Sequence, residues 1–134
     1  MNTAIRCGYT PQFEGLQALY RARRGDGLTV VGFPSDDFRQ ELEENEEIAA
    51  FCRLEYGVSF PMMAKTAVTG AAAHPLFAAI AERPGPAGEE PSFNFTKYLL
   101  DHRGRLVARF EPSVEPDDPA LVAAIEEVLA RRAL

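Results

Sequence analysis

The sequence predicts an α/β fold, a mixed central sheet flanked by helices. Three observations lead there. Amphipathic helical runs alternate with short β-rich runs, in the order α-β-α-β-α-β-β-α. Single strands separated by helices pair in parallel, and the last two strands, joined by a tight turn, add an antiparallel hairpin. The chain has 134 residues, 46% hydrophobic and 25% charged, which is the size and composition of one globular domain.

The elements follow in order. Asn2 to Ile5 is a short strand ahead of Cys7. Thr10-Pro11 reads as a helix start, a hydroxyl cap followed by a residue that needs no N–H. Phe13, Leu16, Leu19 and Tyr20 keep helical spacing until Gly25 and Gly27 end the run. Leu28 to Phe33 is a buried strand, and Pro34 to Glu44 a polar loop. Asn45 is placed to cap a second helix carrying Ile48, Phe51, Cys52 and Tyr56, which Gly57 terminates. Met62 to Val68 is a further strand, and His74-Pro75 opens a short helix reaching Ile80. Pro84 to Pro91 is a loop. Asn94 to Leu100 and Arg105 to Phe110 flank a turn at His102-Arg103-Gly104. Asp118-Pro119 caps a last helix with Leu121, Val122, Ile125, Val128 and Leu129 on one face.

Charge and cysteine content narrow the function. Fourteen basic against 20 acidic residues leave a net charge of −6, which argues against nucleic-acid and anionic-membrane partners. No apolar run approaches the roughly 20 residues of a membrane span. The opening residues carry no basic-then-apolar leader, so a cytoplasmic location is expected. Two cysteines, Cys7 and Cys52, are too few for a disulfide scaffold.

Cys7 precedes the first helix, whose N-terminal dipole and the neighbouring Arg6 both favour thiolate. Such a thiolate attacks electrophiles, a peroxide oxygen among them; the alternative is a small apolar residue ending a strand. Cys52, on an apolar helix face, is either a core residue or a resolving thiol for Cys7. His74 and His102 have no partners at metal-ligand spacing. Asp36-Asp37 and Glu41 to Glu47 read as a solvated loop and helix start.

Several blocks together resemble a known family. MNTAIRCGYTPQFEGLQALY is similar to the segment around the reactive cysteine or selenocysteine of the glutathione peroxidases. GFPSDDF resembles their GFPCNQF motif, and NEEIAAFCRLEYGVSFPM the helix and strand that follow. AHPLF and FNFTKYLLDHRGRLVARFEP resemble the later blocks, where WNFTKFL is usual. The resemblance implies a thioredoxin-like fold and reduction of hydrogen peroxide or organic hydroperoxides, with thioredoxin or glutathione as reductant and no haem, metal or flavin. Cys7 stands at the peroxidatic position and Asn94 at the site asparagine. Asp37 replaces the family's glutamine and Phe93 its tryptophan, so two side-chain donors are missing. The expectation is either a weakened peroxidase or a variant site that uses backbone N–H groups after Cys7.

The resemblance also sets expectations for domain and assembly. Residues 1–134 form a single thioredoxin-like glutathione peroxidase domain lacking the family's N-terminal hairpin and most of its first core strand. Leu28 to Phe33 then faces an apolar gap, and the chain is a monomer, or a dimer formed through that open sheet. Two other readings stand beside the peroxidase. One is a catalytically impaired thioredoxin-fold relative with a binding or redox-sensing role. The other is a thiol–disulfide oxidoreductase using Cys7 and Cys52.

Overall fold

The computed structural model describes residues 1–132. Its elements are β1 (Asn2–Thr3), α1 (Gln12–Arg23), β2 (Phe33–Pro34), α2 (Asn45–Tyr56), α3 (Pro75–Ala81), β3 (Lys97–Leu100), β4 (Leu106–Phe110) and α4 (Pro119–Arg132). The mixed α/β class agrees with the sequence, and so does the element order except that the strand expected between α2 and α3 is reduced to a single bridge. Asn2 and Thr3 pair in parallel with Phe33 and Pro34. Gly32 bridges to Met62 on the other side, also in parallel. The Phe95 N–H donates to the Asn2 carbonyl at 2.8 Å, which brings in the antiparallel β3–β4 hairpin. The Met62 side chain lies over Gly32, so that a Cβ there would stand 2.4 Å from its sulfur and the Met62 side chain would have to move aside.

The strands are shorter than expected. Of the expected Leu28 to Phe33 strand only Phe33 joins the ladder, together with Pro34, which was expected to begin the loop. Met62 to Val68 contributes one bridge, and Asn2 to Ile5 contributes two strand residues. The physical reason is that a ladder needs a neighbour. Beyond Met1, residues 28–31 and β3 have no strand between them, and a cleft of about 450 Å³ opens there. Leu28, Val31, Leu76, Tyr98, Leu99 and Ile125 are among its lining, so it is largely apolar. The Met1 amine sits at its end and donates to the Val31 carbonyl at 3.1 Å.

Two expected helix caps are used differently. Thr10 does not cap α1; its hydroxyl turns back toward Cys7. Asn45 lies inside α2, with Glu44 at the cap position, and its side-chain oxygen accepts the Lys65 N–H at 2.8 Å. The others match. His74 Nδ1 accepts the Leu76 N–H at 3.1 Å ahead of Pro75, and Asp118 Oδ1 accepts the Ala120 N–H at 2.8 Å. Gly57 closes α2 in the left-handed region, at φ 61°.

Two apolar clusters hold the layers together. One joins Phe13 and Leu16 of α1, Ile48 and Cys52 of α2, Phe60, Phe95, Ala4 and Cys7. Phe13 is its centre, edge-on to Phe95 at 5.1 Å and stacked on Phe60 at 6.5 Å. The other joins Phe33, Val68 and Phe77. Cys7 is therefore mounted on the larger cluster, at the end of the sheet where β1 and β2 meet.

Candidate active site

Four residues after β1, the backbone turns sharply around Cys7. Its N–H donates to Thr10 Oγ1 at 3.2 Å, and the Thr10 N–H donates to the Cys7 carbonyl at 3.1 Å. The Thr10 hydroxyl in turn lies 2.9 Å from the Ala4 carbonyl and 3.0 Å from that of Ile5. One hydroxyl thus clamps both sides of the turn. Within it, the Tyr9 N–H donates to Cys7 Sγ at 3.3 Å. A donor aimed at sulfur stabilises negative charge there. The residue itself is only 9% exposed. A side chain on the exposed Gly8 would meet nothing within 4 Å, so that face of the turn is open.

Asn94 is fully buried just before β3, in the turn that positive φ at Phe95 (65°) makes. Its Nδ2 donates to Gln40 Oε1 at 2.9 Å. Gln40 also accepts the Arg6 N–H on its backbone carbonyl, at 2.7 Å. Phe93 packs between Tyr9 (6.3 Å, edge-on) and Phe38 (5.4 Å), making an aromatic wall beside the Cys7 turn. Asp37 is occupied elsewhere. Its Oδ2 accepts the Val68 N–H (2.7 Å), the Thr69 N–H (2.9 Å) and the Thr69 hydroxyl (3.0 Å). Of the residues singled out from sequence, Asn94 is therefore tied to the Cys7 turn, Phe93 walls it, and Asp37 fastens the 68–69 segment. Gln40 and Thr10 were missed as site residues.

Cys52 belongs to the same apolar cluster as Cys7, and both are free thiols. It is 1% exposed. Burial, with a smaller contribution from Glu41, pushes its thiol up to about 12. Glu41 is the other buried titratable group near the turn. It is 6% exposed, and its Oε1 accepts the N–H groups of Ile5 (3.1 Å) and Leu42 (2.8 Å). Its second oxygen is buried with no protein partner. Burial raises this carboxyl to about 7, against the lowering effect of those N–H groups and Lys65. His74 serves as the α3 cap, and His102 lies at the exposed hairpin turn. Among the described residues, no three His, Cys, Asp or Glu side chains gather as a metal site would need.

The chain is similar to known proteins of one family. The family model described as glutathione peroxidase matches residues 1–81. The glutathione peroxidase homolog BsaA of Halalkalibacterium halodurans is 48% identical over 118 residues, which is 87% of this chain and 75% of that protein. A glutathione peroxidase of Lactococcus lactis is 45% identical over 120 residues, 88% of this chain and 76% of that protein. A hydroperoxy fatty acid reductase of Synechocystis is 44% identical across 96% of this chain and 80% of that protein. The crystal structure of T. cruzi GPX1 superposes with a TM-score of 0.71 at 32% identity, covering 96% of this chain and 78% of the other.

Proposed function

Since the chain belongs to the glutathione peroxidase family, an α/β family of thioredoxin-like fold whose members reduce hydroperoxides with thiols, we propose that Cys7 is its peroxidatic residue. The observation that carries this is the Tyr9 N–H donating to Cys7 Sγ inside a turn held by Thr10. The Cys7 thiolate attacks one peroxide oxygen and the O–O bond breaks. The departing alkoxide or hydroxide takes up a proton, and the sulfur is left as sulfenic acid. A first reductant thiol displaces water to form a mixed disulfide. A second thiol releases the reductant as its disulfide and restores the Cys7 thiol.

Phe93 supplies no hydrogen bond, but with Tyr9 and Phe38 it offers an apolar wall suited to the tail of an organic hydroperoxide. The relative from Synechocystis, named for hydroperoxy fatty acids, supports that preference. We assign the reductant to thioredoxin or glutathione and the setting to the cytoplasm. A dithiol cycle between Cys7 and Cys52 is disfavoured by the burial of Cys52. Among the described residues no helix is long and apolar enough to cross a membrane.

Peroxide consumption with each donor tests the reading. Wild type is expected to turn over, and faster with an organic hydroperoxide than with hydrogen peroxide. Cys7→Ser is expected to lose the activity; equal rates for the two proteins would reject the assignment.

A further inference from the structure

The turn that presents Cys7 is gathered on a single side-chain oxygen. Thr10 is 4% exposed, and its Oγ1 reaches the carbonyls of Ala4 (2.9 Å) and Ile5 (3.0 Å) and the N–H of Cys7 (3.2 Å). A hydroxyl has one hydrogen, and a carbonyl can only accept. The two carbonyls therefore share that hydrogen, and a lone pair is left for the Cys7 N–H. Backbone bonds carry the grip into α1. The Thr10 N–H donates to the Cys7 carbonyl at 3.1 Å, and the Thr10 carbonyl accepts the Phe13 N–H at 3.0 Å. Phe13 is fully buried in the larger apolar cluster. The strand exit and the start of α1 are thus joined across Cys7, Gly8 and Tyr9. Thr10 makes no cap bond to α1, so its hydroxyl is spent wholly on this turn.

We infer that Thr10 is a positioning residue for the peroxidase reaction, its hydroxyl fixing the turn in which the Tyr9 N–H points at Cys7 Sγ. This rests on the assignment of Cys7 as the peroxidatic residue. The Tyr9 N–H, 3.3 Å away, is the one hydrogen-bond donor on that sulfur among the described residues. The Cys7 N–H is taken by Thr10 instead. Gly8, between them, is exposed and has no side chain to pack, so the loop is held by hydrogen bonds alone at that point. Removing the hydroxyl leaves three backbone groups without their partner and lets residues 7–9 open. The Tyr9 N–H then swings away, and the sulfur loses the donor that favours its charged form. The thiolate is the attacking species, so the rate falls with it.

Thr10→Val keeps the shape and removes the hydroxyl; Thr10→Ser keeps the hydroxyl and removes the methyl. Two readouts follow the Cys7 peptide by rapid quenching and mass spectrometry. One is its rate of oxidation by an organic hydroperoxide at pH 7. The other is the pH profile of its alkylation by iodoacetamide, which a loss of stability alone does not move. Circular dichroism and thermal unfolding check the fold. Thr10→Val is expected to oxidise about tenfold more slowly, the effect of one well-placed hydrogen bond, with its alkylation profile moved to higher pH. Thr10→Ser is expected to stay within about twofold of wild type, with the wild-type profile. The inference is overturned if folded Thr10→Val oxidises like wild type, or if its rate falls while the profile stays in place. Where Thr10→Val does not fold, Thr10→Ser decides: wild-type behaviour supports the inference, and a tenfold loss with the hydroxyl present overturns it. Wild-type peroxide consumption by Cys7→Ser would instead remove the underlying assignment, so the two failures are distinguishable.

Discussion

The carboxyl of Glu41 accepts the peptide N–H of Ile5 at 3.1 Å, two residues ahead of Cys7. A buried, titratable acid therefore supports the backbone that presents the thiol. Its raised value, about 7, has a cost that depends on pH. Below about pH 4.5 the group is protonated in folded and unfolded chains alike. Between about 4.5 and 7 the unfolded chain loses the proton first, so stability falls as pH rises. Above 7 the penalty is constant. Urea unfolding across pH 4–8 is expected to show this decline, and Glu41→Gln is expected to remove it, gaining on the order of 1–3 kcal/mol at pH 8 relative to pH 4. A variant with the wild-type pH slope would show that Glu41 does not titrate in this way.

Cys52 is expected to stay reduced on first exposure to peroxide. Its thiol is buried and held near 12, so it presents almost no thiolate at neutral pH. One equivalent of hydroperoxide should yield a dimedone-reactive sulfenic acid on Cys7, and Cys52→Ala should oxidise Cys7 at the wild-type rate. A Cys7–Cys52 disulfide as the first product, seen by mass spectrometry, would contradict this and require α2 to open.

A glutamine introduced at position 37 is not expected to accelerate the reaction. The Asp37 carboxylate collects three donors from Val68 and Thr69. Asp37→Gln weakens those bonds, with an expected loss of about 1 kcal/mol in thermal or urea unfolding. Its peroxidase rate is expected to stay within twofold of wild type. A several-fold faster variant would mean that position 37 does reach the reacting sulfur.

What was legible in the sequence was the chemistry that acts locally. Asp118-Pro119, His74-Pro75 and the turn at Gly104 each announce an element through their own side chains or φ preference, and each stands where expected. Thr10 and Asn45 were misread because a hydroxyl or amide near a helix start has more than one partner in reach. Thr10 faces back to Cys7, and Asn45 reaches 20 residues forward to Lys65. The 28–33 region could not be bounded from its β propensity, since pairing depends on a distant neighbour. Gln40 was hidden for a further reason. The reversal that brings it to Asn94 is made by Arg39, a residue type with no preference for left-handed backbone.

The cleft gives the sheet two unlike ends. At the Cys7 end, Phe33 to Met1, Ser35 to Thr3 and Phe95 to Asn2 are backbone bonds that bind three strand segments edge to edge. At the other end, residues 28–31 and β3 stand apart across a largely apolar opening. Such a sheet frays like a cloth with one sewn hem. Its amides should exchange with solvent first along 28–31 and last beside Asn2 and Thr3, leaving the reactive turn on the slowest-opening part of the molecule.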